Sequence, residues 1–150
     1  MSNLKNTIGS LIGQTGRLIG NLLDSNFRKN GLDITPEQWI ILVNLFEKDG
    51  LSQKELAAKC HKNKASITSV ITNLENKKYI QRVQNETDKR LNSIRLTDLG
   101  VSLREPLFAI AKQNIEDFTA GISTADIETC NSVLKKIIEN VHQNISLNSN

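Results

Sequence analysis

At Ile80 the spacing of apolar residues in this chain changes from steps of three and four to steps of two, and near Thr97 it changes back. Ile80, Arg82 and Gln84 alternate with Gln81 and Val83; further on, Asn92, Ile94 and Leu96 alternate with Ser93 and Arg95. A period of two belongs to a half-buried strand, whereas steps of three and four belong to one face of a helix. The two alternating runs therefore form a hairpin, Ile80–Thr97, inside a chain that is otherwise helical. Its loop, Asn85–Arg90, is long and polar, contains no glycine, and ends in Thr87-Asp88-Lys89-Arg90. The expected fold class is mainly α with a small β flap.

The helices before the hairpin announce their own ends. Leu4, Ile8, Leu11, Ile12, Thr15, Leu18, Ile19, Leu22, Leu23 and Phe27 share a face, and Gly31 closes that helix. Thr35-Pro36-Glu37-Gln38 then supplies an N-cap, a proline at the first helical position and a capping-box glutamine. The helix behind it carries Trp39, Ile40, Leu42, Val43, Leu45 and Phe46 and stops near Asp49-Gly50. A second capping box, Ser52-Gln53-Lys54-Glu55, opens a short helix. After a break at His61–Asn63, Ile67, Val70, Ile71 and Leu74 bury one side of a further helix. Ser66, Thr68, Ser69, Thr72 and Asn73 are left on its other faces. A short helix, a tight turn and a polar-faced helix make a helix-turn-helix, and the hairpin after it is a wing.

Thr97 caps a long helix carrying Leu99, Leu103, Leu107, Ile110, Ala111, Ile115 and Phe118, in which Pro106 should produce a kink or delay the regular start. Gly121 ends it, and Ser123 with Asp126 opens a last helix bearing Ile127, Cys130, Val133, Leu134, Ile137, Ile138, Val141 and Ile145. At 150 residues the chain fits one domain. Within it, 35–97 forms the winged lobe, and 1–30 with 98–147 forms a helical region. Those terminal helices carry wider apolar stripes than one winged lobe can cover. A second copy in a two-fold dimer is the expected cover, with a larger monomeric bundle as the alternative.

Charge narrows the partner. Leu51–Thr97 holds ten Lys/Arg against four Asp/Glu, or +6, and the remainder holds nine against twelve, or −3, which together give the chain's +3. A basic excess gathered in one segment suits a polyanion. Cys60 and Cys130 belong to no metal-ligand spacing, and His61 and His142 are far apart, so no metal or cofactor is expected. Neither a Ser/His/Asp order nor a phosphate-cradling glycine loop is present, so no enzyme is expected. There is no membrane-length apolar run and no export signal, which points to the cytoplasm and to reduced thiols. Cys60, between Lys59, His61 and Lys62, is the better of the two candidates for a redox thiol.

Several of these segments, taken in order, resemble one family. They are Thr35-Pro36-Glu37-Gln38-Trp39, the Leu51–Ala58 helix, Leu74-Glu75-Asn76-Lys77-Lys78-Tyr79-Ile80, and Asp88-Lys89-Arg90 followed by Ile94-Arg95-Leu96-Thr97-Asp98-Leu99-Gly100. The chain is similar to MarR-family transcriptional regulators over nearly its whole length. The most specific part is Asp-x-Arg followed, after a second strand, by Leu-Thr-x-x-Gly. The resemblance implies a homodimer joined through its N- and C-terminal helices. It also implies a winged helix-turn-helix that binds double-stranded DNA at a pseudo-palindromic operator, usually as a repressor. A small aromatic or lipophilic effector would release the DNA, or in some members cysteine oxidation would. A winged-helix adaptor or antirepressor that binds protein instead of DNA, and a thiol-based redox repressor, are the alternatives.

By the same resemblance Arg90 enters the minor groove, where narrow A·T-rich DNA concentrates negative potential. Asp88 cannot face DNA and is expected to hold a neighbouring cation. Lys89 and Arg95 are expected on phosphates. On the recognition helix the groove face is Ser66, Thr68, Ser69, Thr72 and Asn73, with Lys62 and Lys64 at its N-terminal end. Ser69 and Asn73 stand where family members commonly carry arginine, so guanine readout is weakened and an A/T-rich operator is expected. Lys78 replaces the family's usual glycine, and the turn there is expected to close differently.

Overall fold

The computed structural model describes residues 4–84, 86–88 and 92–149. Among these residues the chain is helical apart from one three-stranded antiparallel sheet, and it comprises two compact units, Met1–Asn114 and Ile115–Asn150.

The first unit contains a 3-10 turn (Leu4–Asn6), α1 (Ile8–Lys29), α2 (Pro36–Glu47), β1 (Leu51–Ser52), α3 (Gln53–Lys59), α4 (Lys64–Asn76), β2 (Ile80–Gln84), β3 (Asn92–Leu96), α5 (Asp98–Ser102) and most of α6 (Arg104–Phe118). Both capping boxes form. The Gln38 N–H donates to the Thr35 hydroxyl at 3.2 Å and the Thr35 N–H to Gln38 Oε1 at 3.1 Å. At α3 the corresponding Glu55-to-Ser52 and Ser52-to-Glu55 bonds are 3.1 and 2.7 Å. Each box satisfies helix-end amides that would otherwise need water.

Three helices end in the same way, with the chain turning left-handed at Gly31 (φ 73°), His61 (φ 52°) and Lys78 (φ 65°). The residue after each turn donates back across it: Leu32 to Phe27 O at 2.9 Å, Lys62 to Ala57 O at 3.0 Å, and Tyr79 to Leu74 O at 3.1 Å. The expectation that Lys78 closes its turn differently is therefore corrected: the turn closes as a glycine would close it. Its surroundings impose that path. The Thr97 hydroxyl donates to Lys78 O at 2.6 Å, and the Thr97 N–H donates to Tyr79 O at 3.1 Å.

In the sheet, β3 lies between β1 and β2. The hairpin register runs from Ile80↔Leu96 through Arg82↔Ile94 to Gln84↔Asn92, as the alternation indicated. Strand β1 was not foreseen. It pairs only Leu51 with Ile94 and Ser52 with Ser93, and Ser52 is at the same time the N-cap of α3. Two residues are too few to establish a period.

The long helix expected after Thr97 is divided into α5 and α6 at Leu103, with Pro106 in the first turn of α6. Proline has no N–H to give to a carbonyl one turn back, so the regular ladder resumes with Leu107 donating to Leu103 O at 3.0 Å. The core of the unit gathers Phe27, Ile41, Leu42, Leu45, Leu56, Ile67, Ile71, Leu74, Ile94 and Leu107, all but sealed from solvent. Of the stripe along α1, only Leu23 and Phe27 are buried; Leu11 and Leu18 are 50% and 67% exposed.

The second unit holds the end of α6, a left-handed turn at Gly121 and α7 (Thr124–Asn148), which is capped by Ser123. Along α7, Ile127, Leu134 and Ile137 are half-buried, while Val133, Ile138, Val141 and Ile145 are exposed. No helix among the described residues is long and apolar enough to cross a membrane.

Candidate nucleic-acid interface

The turn between α3 and α4 is what aims α4. His61 takes the left-handed conformation, Asn63 caps α4 by accepting the Ser66 N–H at 2.9 Å, and Ile67, Ile71 and Leu74 pin one face of the helix into the core. The opposite face is open. Lys64, Ser66, Thr68, Ser69, Thr72 and Asn73 are all exposed, and Lys62, just ahead of the helix, is half-buried. Every recognition-helix residue singled out from the sequence thus lies on or beside one surface. The one acidic residue of α4, Glu75, lies one turn beyond Thr72 and is paired with Arg82 of β2.

The threonines on this face are not equivalent. Thr68 donates to Lys64 O at 2.7 Å and accepts a hydrogen bond from the Gln53 side chain of α3. Thr72 accepts from Arg82 Nη2 at 3.2 Å. The Arg82 guanidinium also pairs with the Glu75 carboxylate, and the Arg82 N–H donates to Glu75 Oε1 at 3.3 Å. Sequence reasoning missed both Gln53 and Arg82. Arg82 had left a signal, because it alternates in step with Ile80, and a charged side chain on the inner face of a strand needs a partner. Gln53 left none.

Among the described residues, two cations of the basic segment are used internally. Arg82 is one. The other is Lys77, whose Nζ donates to Asp33 O at 2.7 Å and to Gln38 Oε1 at 3.1 Å and lies 3.1 Å from the Asp33 carboxylate. Lys54, Lys59, Lys64 and Lys78 remain exposed.

In the wing, Asp88 is exposed and engaged in a polar interaction. Lys89 and Arg90 lie outside the described residues. Arg95 is exposed on the outer face of β3, with its guanidinium over Gly50, so close that a β carbon on Gly50 would lie 3.3 Å from Cζ.

The Cys60 thiol is half-buried, 3.9 Å from Asn44 Nδ2. Burial pushes its pKa up, and the nearby Lys62 and Lys59 offset this only in part. That is the opposite of the electropositive, exposed setting that makes a thiolate reactive. Trp39 packs edge-on against Phe27 and Phe108 with ring centroids at 5.8 and 5.3 Å, and Arg104 lies 5.9 Å above the half-exposed Phe108 ring. Trp39 is therefore part of an aromatic cluster joining α1, α2 and α6.

Comparison with known proteins agrees with this geometry. The MarR family model matches residues 34–91, from just before α2 through the wing tip. The chain is 25% identical over 133 residues to the HTH-type transcriptional regulator MhqR of Bacillus subtilis, covering 89% of this chain and 90% of that protein. The crystal structure of a probable transcriptional regulator from Pseudomonas aeruginosa superposes with a TM-score of 0.82 at 26% identity, over 90% of this chain and 99% of that one. The fold is also that of Bordetella bronchiseptica BpsR, described in a study of how 6-hydroxynicotinic acid regulates its DNA binding, with a TM-score of 0.83, 18% identity, and 91% and 96% coverage. A winged helix-turn-helix with an exposed polar recognition-helix face, together with the family model over residues 34–91 and the full-length likeness in sequence and structure, makes this chain similar to the transcriptional regulators of the MarR family.

Proposed function

We propose that this chain is a homodimeric repressor that binds a pseudo-palindromic, A/T-rich operator and releases it when a small aromatic or lipophilic effector binds. The carrying observation is the open face of α4, where Ser66, Thr68, Ser69, Thr72 and Asn73 stand exposed with no carboxylate among them. Such a face fits the major groove. Asparagine pairs with adenine, and threonine methyls meet thymine methyls. Lys62 and Lys64 at the helix start, with Lys89 and Arg95 on the hairpin, contact phosphates, and Arg90 enters the minor groove with Asp88 fixing the wing.

Dimerisation through 1–30 and 98–147 accounts for the uncovered side chains of α1, such as Leu11 and Leu18, and for those of α7, such as Val141 and Ile145. Two winged lobes, 35–97 in each copy, then meet two half-sites. The half-exposed Phe108 over Trp39, with Arg104 above it, offers an aromatic carboxylate both a ring to stack on and a cation. The regulation of BpsR by 6-hydroxynicotinic acid supports an effector of this class. The raised pKa of Cys60 weighs against a thiol switch at that residue. A protein acting in this way works in the cytoplasm.

Selection of duplexes from random DNA by the full chain, with Arg90→Ala as control, tests the reading. The expected outcome is an A/T-rich inverted repeat whose binding collapses in the variant. A G/C-rich core, or no enrichment at all, overturns it. A thermal-shift screen of aromatic carboxylates that leaves the melting temperature unmoved removes the effector class.

A further inference from the structure

We propose that Arg82 is a positioning residue for base readout. It holds the Thr72 hydroxyl as an acceptor and so biases that hydroxyl to donate into the major groove. This rests on the DNA-binding reading above and adds to it a residue outside the groove face.

The geometry begins with what a guanidinium can do. Arginine has donors only, so at 3.2 Å from Nη2 the Thr72 oxygen must be the acceptor. Among the described residues Thr72 makes no bond to the carbonyl one turn back, so its own proton is free to point off the exposed face of α4. An acceptor polarised by a cation becomes a better donor. The groups that can receive that proton in the major groove are purine N7, guanine O6 and thymine O4. Thr68, one turn earlier, is set the other way. Its proton is committed to Lys64 O at 2.7 Å and its oxygen accepts from Gln53, which leaves mainly a methyl group to present. Two threonines on one face therefore read different chemistry, because their neighbours on α3 and β2 differ.

Arg82 is itself fixed. Glu75 takes both its guanidinium and, at 3.3 Å, its backbone N–H, and the pair is largely withdrawn from solvent, with the two side chains 25% and 35% exposed. With its donors directed at Glu75 and Thr72, the guanidinium is spent as a scaffold and not as a phosphate contact. The wing and the recognition helix are thereby joined through a hydroxyl that faces DNA.

The test is selection from randomised duplex DNA by the full-length chain, comparing wild type, Thr72→Val, Arg82→Ala, Arg82→Lys and the Thr72→Val/Arg82→Ala double variant. Wild type is expected to prefer an acceptor-presenting base at one position of each half-site. Each single variant should flatten that same position, reducing discrimination there about three- to tenfold, the worth of one hydrogen bond. The double variant should be no flatter than Thr72→Val alone. A profile unchanged in Arg82→Ala with affinity lowered evenly at all positions, a different position affected, or additive losses would overturn the proposal. If Arg82→Ala fails to fold, Arg82→Lys compared with the surface change Thr72→Val separates the same outcomes. A wild type that enriches no sequence overturns the DNA-binding reading, and this proposal with it.

Discussion

A β carbon built on Gly100 would lie 2.0 Å from the carbonyl oxygen of Tyr79 and 3.0 Å from its carbonyl carbon. That carbonyl is not free to retreat, because it accepts the Thr97 N–H at 3.1 Å in the bond that leads into the hairpin. The first turn of α5 and the entry to β2 are thus in backbone contact. Gly100→Ala must force them apart, at a cost of about 3 kcal/mol. A melting temperature lower by roughly 10 °C is expected, and a shift of a degree or two would mean that the contact relaxes easily.

Lys78 is the converse case, a residue whose backbone path suits glycine better. Lys78→Gly should stabilise the chain by up to about 1 kcal/mol, since a left-handed lysine bears a strain that glycine lacks. Lys78→Val should destabilise it by more than that, because a β-branched side chain is the least tolerant of positive φ. Chemical denaturation of the three proteins checks the order Gly, Lys, Val.

Lys64 and Lys77 carry the same charge within one basic segment but do different work. Lys64→Ala should reduce the salt dependence of operator binding by about one unit per protomer. Lys77→Ala should leave that slope unchanged and lower stability by roughly 1–2 kcal/mol, as its bonds to Asp33 and Gln38 are lost. Titrations across a salt series distinguish the two, and equal slopes in both variants would refute the assignment.

Acid should loosen the start of α3. The Ser52 N–H, and next the Ser52 hydroxyl, hold the Glu55 carboxyl below the ordinary carboxylate range. Because the folded-state pKa is depressed, the stabilisation is complete above the ordinary value and disappears as pH falls through the lowered one. Glu55→Ala should therefore melt below wild type at pH 7, with the gap narrowing toward pH 3. A gap that stays constant over that range would assign the loss to something other than the ionised capping box.

What could be read from the sequence follows from where physical signals are local. The caps at Thr35 and Ser52, the change of period at Ile80 and the interruption at Pro106 each depend on residues a few positions apart, and each element formed where its residues indicated. Strand β1 was hidden because pairing Leu51 with Ile94 spans the whole helix-turn-helix. The conformation of Lys78 was misjudged for a similar reason. Its lysine side chain argues against positive φ, and the Thr97 contacts that impose it come from the far side of the hairpin. The candidate groove face was legible as a set of residues. The donor and acceptor roles of Thr68 and Thr72 were not, since Gln53 and Arg82 reach them from other elements.

The Glu75–Arg82 pair has one more consequence. Strand β2 lies at the rim of the sheet, with no strand beyond it among the described residues, and a row of unsatisfied amides along such a rim invites a foreign strand to add on. Tyr79 O already takes the Thr97 N–H, so the alternation of an antiparallel ladder turns the Arg82 amide outward, to the middle of that rim. Glu75 occupies that amide. The hairpin that is proposed to meet DNA is in this way kept from templating aggregates, and removing the carboxylate should uncover a sticky edge even where folding survives.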